Sequence, residues 1–276
     1  PMSDGSGVIG AVGQSVEGFA VGDRVVSHFI TGWVDGPFRG DYAKTSLGTP
    51  GAGLAAQRVV LPATGVVPIP AGYDFSQAAT LPIAALTAWS AMVTEGNLQP
   101  AGTVLTLGTG GVSVFALQIA KAMGARVIIT SSRDDKLERA RDLGADGTIN
   151  YRADPQWHRK VLEFTEGQGV DVTVETGGAG TLDRSMLSTR PGGVISLLGV
   201  LAGVKAEVST ILMVMKRLHI AGIYVDSRSA FERMNRFLEN HCIEPVIDRT
   251  FAFGDLPEAL RYLESGSHFG KIVLTV

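Results

Sequence analysis

The feature that most constrains the fold of this chain is a glycine-rich segment, GTGGVS, at residues 108–113. It follows an apolar run, TVLTL, that has the composition of a buried strand. It opens a segment in which apolar side chains recur at helical spacing, namely Val112, Phe115, Ile119 and Met123. A strand, a glycine loop and a helix in this order are the context of the dinucleotide-binding fingerprint, so the segment predicts a nucleotide-binding α/β unit.

Each residue type in this loop has its own physical explanation. Gly108 permits a tight turn, while Gly110 and Gly111 let a pyrophosphate approach the backbone. The start of the helix then offers N–H groups to the phosphates. Ser113 stands where the fingerprint has its third glycine, and a small residue still lets the helix pack on the strand. An ordinary glycine-rich turn is the alternative, which the elements on either side disfavour.

Strand-like and helical segments alternate over residues 82–243, which is typical of βαβ units and a parallel sheet. Six strands complete a doubly wound domain. Residues 1–81 instead carry short strand patterns, including QRVVLP at 57–62, and a predicted long loop at 31–53. We expect the strand–helix–strand pattern of residues 244–276 to return to this first domain.

Composition excludes several classes of protein. With 24 Lys and Arg against 27 Asp and Glu, the net charge is −3 and no basic run is present, which argues against a nucleic-acid partner. No apolar run reaches membrane-spanning length, so no membrane partner is expected. Cys242 is the only cysteine, which favours the reducing cytoplasm. The first residues, PMSDGSG, do not resemble a signal peptide, and Pro1 before Met2 predicts an N-terminal truncation.

The end of the second strand predicts the choice of cofactor. An NAD-binding domain has an acid there, about 20 residues after the glycines, on the ribose 2′-hydroxyl. This chain instead has hydroxyls and a cation, at Ser131, Ser132 and Arg133. Lys136 adds a second cation, and Asp134 and Asp135 come one step too late. The pattern favours NADP(H) over NAD(H); the alternative is that Asp134 caps the helix and the cations are solvated.

Several stretches along the whole chain together resemble the medium-chain dehydrogenase/reductase superfamily, on its zinc-free, quinone-oxidoreductase-like side. They are SDGSGVIGAVG and VGDRVV, AATLPIAALTAW, VLTLGTGGVSVFALQIAKAMGARVI, LGADGTINY, GVDVTVETGG, GGVISLLGV and HFGKIVLTV. The resemblance implies an α/β protein with a doubly wound Rossmann domain at 82–243. It also implies a GroES-like substrate domain at 1–81 and 244–276, incomplete because its N-terminal part is missing.

The resemblance further implies a set of cofactor contacts. Lys136 and Tyr151 correspond to residues near the adenosine 2′-phosphate, and Thr87 to one near the nicotinamide. With the glycine loop, the expected cofactor residues are Thr87, Gly108, Thr109, Gly110, Gly111, Val112, Ser131, Ser132, Arg133, Lys136, Tyr151, Gly177, Leu198, Gly199, Val200, Ile223, Tyr224, Val225, Gly270 and Lys271. The catalytic acid is not identified, and Thr87 and Tyr224 are the candidates.

The sequence predicts no metal site. Zinc-dependent members of the superfamily carry Gly-His-Glu where this chain has Met2-Ser3-Asp4, and Cys where it has Ile83. Serine and isoleucine are not zinc ligands of any strength. The five histidines, His28, His158, His219, His241 and His268, are scattered without ligand spacing and are expected to be structural or solvated.

These expectations combine into a functional hypothesis. The sequence has no Gly-x-Ser-x-Gly elbow of a hydrolase and no Gly-x-x-x-x-Gly-Lys phosphate-binding loop. It also has no Tyr-x-x-x-Lys pair, which disfavours a short-chain reductase. Without a Lewis acid, hydride transfer from NADPH to a quinone or an α,β-unsaturated carbonyl is favoured over alcohol oxidation. A zinc-type alcohol dehydrogenase relative and a non-enzymatic, crystallin-like NADPH-binding protein remain alternatives. The resemblance implies a homodimer, paired across the sheet edge near Gly222, acting on a small-molecule substrate.

Overall fold

The computed structural model describes residues 2–276, which form two compact units. The terminal unit comprises residues up to Leu86 together with Val225–Val276, and the central unit comprises Thr87–Tyr224. The predicted domain limits, 1–81 with 244–276 and 82–243, stay a prediction. In the described part of the chain, no helix combines the length and the apolarity that a membrane crossing requires.

The strands, in chain order, are β1 (Ser6–Val8), β2 (Arg24–Ser27), β3 (Val66–Pro68), β4 (Thr103–Leu107), β5 (Arg126–Ser131), β6 (Gly147–Asn150), β7 (Val170–Glu175), β8 (Thr189–Leu197), β9 (His219–Gly222), β10 (Ile247–Ala252) and β11 (Lys271–Thr275). The helices are α1 (Phe75–Ala78), α2 (Leu86–Trp89), α3 (Gly111–Ala122), α4 (Asp134–Asp142), α5 (Trp157–Phe164), α6 (Leu182–Ser188), α7 (Thr210–Lys216), α8 (Arg228–Asn240) and α9 (Leu256–Glu264). Two π-helical turns, Leu81–Ala85 and Ser90–Thr94, flank α2.

The central unit is built on a six-stranded parallel sheet with the order β6-β5-β4-β7-β8-β9. This is the doubly wound order, in which two halves start side by side at β4 and β7 and run outwards. The prediction of an α/β fold with a parallel sheet is confirmed. A ligand crevice forms in such sheets at the carboxyl ends of the strands, where the order reverses.

Apolar burial fixes the strands of the central unit. Every residue of β4 is buried, and a cluster of buried side chains joins the sheet to α5: Leu105, Leu107, Ile128, Ile149, Trp157, Val161 and Val170. Burying each such side chain contributes roughly 1.5–3 kcal/mol. In α3, Phe115 and Ile119 are buried as expected, whereas Val112 and Met123 are only half-buried. The buried face of α3 is therefore shifted to one side of the face that the sequence pattern predicts.

Two sequence interpretations need correction. Residues 57–62 are not a strand: Val59 and Val60 are exposed, and none of the described residues pairs with this segment. A strand needs a partner for its backbone groups, which an apolar pattern alone does not supply. The helix α7 was not predicted, because its sequence, TILMVMK, is apolar on all sides and lacks a helical period. Leu212 and Met213 pack against the buried Met186 and Ile195.

The terminal unit contains an antiparallel sheet with the order β1-β2-β3 and a parallel pair, β10-β11. A capping box at Asp74 and Gln77 starts α1. The predicted loop at 31–53 holds only a short 3₁₀ turn at Tyr42–Thr45 and a single bridge between Ile30 and Ser46. Residues 244–276 lie in this unit.

His28, directly after β2, ties this loop to α8. Its imidazole is fully buried, and Nε2 lies 3.1 Å from the carbonyl oxygen of Trp33, which also accepts the backbone N–H of Arg228 at 3.0 Å. A carbonyl can only accept, so Nε2 carries the proton. Burial lowers the pKa of His28 to about 4, and the charge of Arg228 acts in the same direction. His28 is a neutral structural residue at neutral pH.

This pKa predicts a step in acid stability. Because the folded-state pKa of about 4 lies below the ordinary value of 6.5, the unfolded chain binds the proton first as the pH falls. We expect neutral His28 to make its full contribution to the free energy of unfolding above pH 6.5. That contribution should fall by about 3 kcal/mol as the pH is lowered to 4. The pH dependence of the urea midpoint measures it. In His28→Gln the slope should flatten, whereas the exposed His241→Gln should keep it; an unchanged slope in His28→Gln would contradict the assignment.

Candidate cofactor-binding site

The loop between β4 and α3 lies at the carboxyl edge of the central sheet. Gly108 has φ +76°, a left-handed conformation that favours glycine. Gly110 precedes the first turn of α3 with φ −78° and ψ −179°, which is extended backbone open to any residue. A Cβ atom on Gly110 would meet nothing within 4 Å. Neither backbone geometry nor packing requires glycine at this position, so the missing side chain leaves open space at the helix start.

Hydrogen bonds hold this loop from three sides. The hydroxyl of Ser113 donates to the carbonyl of Leu107 at 2.7 Å, and the hydroxyl of Thr176 donates to the same carbonyl at 2.9 Å. The backbone N–H of Gly108 donates to Oγ1 of Thr130 at 3.3 Å. Ser113, in the place of the fingerprint's third glycine, is thus a buried tie between α3 and the end of β4. No side chain caps the start of α3.

The residues predicted for the adenosine side lie around the ends of β5 and β6. The backbone N–H of Tyr151 donates to the carbonyl of Ser131 at 3.0 Å, which brings these two segments together. The Tyr151 side chain is 40% exposed, whereas Lys136 is only 6% exposed. Ser132 and Arg133 lead into α4. The structure therefore gathers the five predicted residues in one region of the central unit.

The two acids at the start of α4 both have partners. Nε and Nη2 of Arg133 donate to Asp135 at 2.9 and 2.7 Å, and Nδ2 of Asn150 donates to Asp134 at 2.8 Å. The Arg133 guanidinium beside Asp135 holds the pKa of that carboxyl below its ordinary value. Sequence reasoning treated Arg133 as an available cation. In the structure it is already paired, so a phosphate bound there would share the guanidinium with Asp135.

The residues predicted for the nicotinamide side follow the next two strands. Gly177 follows β7, and Leu198, Gly199 and Val200 follow β8. The carbonyl of Gly177 accepts the N–H of Ala202 at 2.8 Å, so the two loops are in direct contact. Thr87 is buried in α2, and the Tyr224 side chain is half-exposed at the end of the central unit with Ile223 beside it.

Sequence reasoning understated Glu175, the last residue of β7. In the sequence it is an acidic residue at a strand end, with no second carboxylate at a defined spacing. In the structure Glu175 is 0% exposed, and its carboxylate accepts four hydrogen bonds from the following turn and α6. A charged residue that closes an apolar strand and stands two positions before a pair of glycines is the sequence signal that could have identified it.

Three predicted cofactor residues, Val225, Gly270 and Lys271, lie in the terminal unit. Lys271 begins β11, and its ammonium lies 3.4 Å from Oδ2 of Asp4. Val225 has φ +57° and follows β9 after a two-residue gap. The structure does not bring these residues together with the glycine loop within one unit.

The residues at the corresponding positions show whether this chain can hold the zinc ion that related dehydrogenases bind. The Ser3 hydroxyl donates to Asp4 Oδ1 at 3.2 Å, and Lys271 pairs with the other oxygen. A zinc ion would displace this ammonium, and Ile83 offers no lone pair. The donors here do not fit zinc. Across residues 2–276, no three His, Cys, Asp or Glu side chains gather as metal ligands would.

Family models match both parts of the chain. A model for the alcohol dehydrogenase GroES-like domain matches residues 1–71, and one for a zinc-binding dehydrogenase matches residues 111–240. A zinc-type alcohol dehydrogenase-like protein of Schizosaccharomyces pombe is 42% identical, and the alignment covers all of this chain and 82% of that protein.

Solved structures agree with these models. A crystal structure of a protein from Sinorhizobium meliloti 1021, assigned as an alcohol dehydrogenase, is 43% identical to this chain with a TM-score of 0.94. The match covers all of this chain and 81% of that protein's chain. A mycobacterial protein in complex with NADPH has 25% identity and a TM-score of 0.84, covering all of this chain and 82% of its own. A quinone oxidoreductase of Pseudomonas syringae has 26% identity and a TM-score of 0.83, covering all of this chain and 81% of its own. The resemblance is confirmed: the chain belongs to the medium-chain dehydrogenase/reductase superfamily of oxidoreductases.

Proposed function

We propose that this chain is a zinc-free, NADPH-dependent oxidoreductase that passes a hydride to a quinone or an α,β-unsaturated carbonyl. The observation that carries the proposal is the open space at Gly110. A glycine that neither the backbone nor the packing requires is explained if a pyrophosphate occupies the missing side chain's place. The start of the twelve-residue helix α3 faces this space with N–H groups that lack partners within the helix.

The preference for NADPH rests on the ends of β5 and β6. The hydroxyls of Ser131 and Ser132 and the cations of Arg133 and Lys136 suit a dianionic 2′-phosphate, with Tyr151 beside them. The two acids that follow this strand end are already engaged, Asp134 by Asn150 and Asp135 by Arg133. Among the solved relatives, the mycobacterial protein is in complex with NADPH, while a 37% identical alcohol dehydrogenase is named NAD-dependent, so the residues at these strand ends carry the proposed preference.

The cofactor supplies the hydride, and the chain supplies position and electrostatics. The loops at Gly108–Val112, Gly177 and Leu198–Val200 would hold the dinucleotide along the carboxyl edge of the sheet. Negative charge that develops on the substrate oxygen needs a hydroxyl or backbone N–H donor. Thr87 and Tyr224 are the proposed hydroxyl candidates for that role and for proton transfer. Ile223, Val225, Gly270 and Lys271 complete the proposed cofactor set.

A zinc-type alcohol dehydrogenase is the second candidate, and the name of the Schizosaccharomyces pombe relative favours it. The pairing of Asp4 with Lys271 and the hydrocarbon side chain of Ile83 argue against it. Without a Lewis acid to polarise an alcohol, reduction of an already polarised C=C or quinone is the more natural reaction. The quinone oxidoreductase of Pseudomonas syringae supports that substrate class.

The cofactor proposal predicts selective binding. Titration followed by nicotinamide fluorescence at fixed salt should give tighter binding of NADPH than of NADH. Lys136→Ala and Arg133→Ala should each weaken the binding of NADPH by roughly tenfold, because a hydrogen bond between charged groups is lost. The affinity for NADH should stay nearly unchanged.

Lys160→Ala is the matched control, since Lys160 is an exposed lysine paired with Glu163 on α5. It should bind both nucleotides as the unaltered chain does. Tighter binding of NADH, or equal losses for both nucleotides in Arg133→Ala and Lys136→Ala, would refute the assignment of the 2′-phosphate site.

The zinc-free proposal predicts that removing metal does not change the activity. Dialysis against a chelator should leave the rate of NADPH oxidation by a quinone unaltered, and elemental analysis should find no stoichiometric zinc. Asp4→Asn should likewise bring no metal-dependent change. Bound zinc whose removal abolishes turnover, and whose return restores it, would establish the zinc-type alternative.

We also propose a homodimer in the cytoplasm. The strand β9 is the last of the central sheet and pairs only with β8 among the described residues, so its outer edge is available for a second copy. Sedimentation or light scattering should give twice the mass of the 29.0 kDa chain. A proline at Ile220 should shift the equilibrium towards monomer, because proline removes a backbone donor. A monomeric mass for the unaltered chain would contradict the proposal.

A further inference from the structure

Glu175 is a buried carboxylate that the proposed hydride transfer does not use. It closes β7, the first strand of the second half of the sheet, and its side chain is fully buried. Acidic side chains are almost never fully buried unless they are paired. The four groups that donate hydrogen bonds to its carboxylate are neutral, so these bonds do not pair it with a positive charge. The reason must lie in what its hydrogen bonds hold.

The carboxylate organises the turn that follows β7. Oε1 accepts the backbone N–H groups of Gly177 at 2.8 Å and Gly178 at 3.0 Å, together with the Thr181 hydroxyl at 2.6 Å. Oε2 accepts the hydroxyl of Ser185, one turn further along α6. The donors come from the loop and from the helix behind it. One side chain therefore fixes the path of residues 177–181 against α6.

The backbone of the same residue holds the neighbouring loop. The carbonyl of Glu175 accepts the N–H groups of Leu198 at 3.0 Å and Gly199 at 3.2 Å. The two loops touch through backbone atoms, because a Cβ on Gly199 would lie 1.9 Å from the carbonyl oxygen of Thr176. The turn after β7 and residues 198–200 are therefore in direct backbone contact.

We propose that Glu175 is the positioning residue for the nicotinamide half of the cofactor. The inference rests on the proposed function, in which the dinucleotide binds along this edge. In a doubly wound sheet the first half, β4 to β6, holds the adenosine side, and the second half, β7 to β9, holds the other mononucleotide. The hydrogen bonds of Glu175 go to both loops of the second half and to α6.

The two halves can be tested separately with intact NADPH and with its adenosine-side fragment, 2′,5′-ADP. In Glu175→Ala two backbone N–H groups and two hydroxyls lose their acceptor, so NADPH should bind about tenfold more weakly while 2′,5′-ADP keeps its affinity. Glu175→Gln should rescue NADPH binding. Its amide oxygen can accept from Gly177 and Gly178, and its amide N–H can donate to a reoriented Ser185 hydroxyl.

Thr173→Val is the matched control. Thr173 lies two residues earlier on the same buried strand, and its hydroxyl pairs with that of Thr189 at 2.8 Å, away from both loops. This variant loses a buried hydrogen bond of β7 but should bind both ligands normally. If Glu175→Ala fails to fold, Ser185→Ala, which frees one carboxylate oxygen, should weaken NADPH by about threefold with 2′,5′-ADP unchanged.

The outcomes separate the two proposals. Selective loss of NADPH that Glu175→Gln restores and Thr173→Val does not reproduce supports the positioning role. Equal losses for both ligands, unchanged NADPH binding, failure of the glutamine to restore it, or the same selective loss in Thr173→Val would overturn that role alone. If the unaltered chain binds neither NADPH nor NADH, the proposed function falls, and the role of Glu175 in it falls with it.

Discussion

The arrangement of the central unit depends on one constraint, the parallel pairing of six strands whose order reverses between β4 and β7. Parallel pairing sends the carboxyl ends of all six strands to the same edge of the sheet. The loops after β4, β5, β7 and β8 must therefore share that edge. The predicted site residues that follow these strands in the central unit are neighbours because of this pairing. The burial of apolar strands such as β4 stabilises it.

Close approach of backbone atoms then gives the edge its shape. At Gly199 a side chain is sterically impossible, because the carbonyl of Thr176 occupies its place. At Gly110 the space beside the backbone is open. The first glycine serves the contact between two loops, and the second leaves room for a ligand. The hydroxyls of Ser113 and Thr176 meet at the carbonyl of Leu107 and join the two halves of the sheet at the reversal point.

Much of the fold could be predicted from the sequence, because alternating apolar strands and amphipathic helices carry a strong local signal. The failures were segments whose state depends on distant partners. Residues 57–62 have the composition of a strand without a pairing partner among the described residues, and α7 is a helix without a polar face. The glycine loop was visible because its chemistry is local. The ion pair of Arg133 with Asp135 and the hydrogen-bond network of Glu175 were not, because side-chain partners depend on rotamers and tertiary contacts.

The most direct test of the central claim is a crystal structure of this chain grown with NADPH. The account predicts the pyrophosphate beside Gly110, with its oxygens at hydrogen-bond distance from backbone N–H groups at the start of α3. The 2′-phosphate should lie near Ser131, and the nicotinamide near the loops after β7 and β8. An ordered NADPH bound anywhere else, or an empty loop at saturating cofactor, would contradict it.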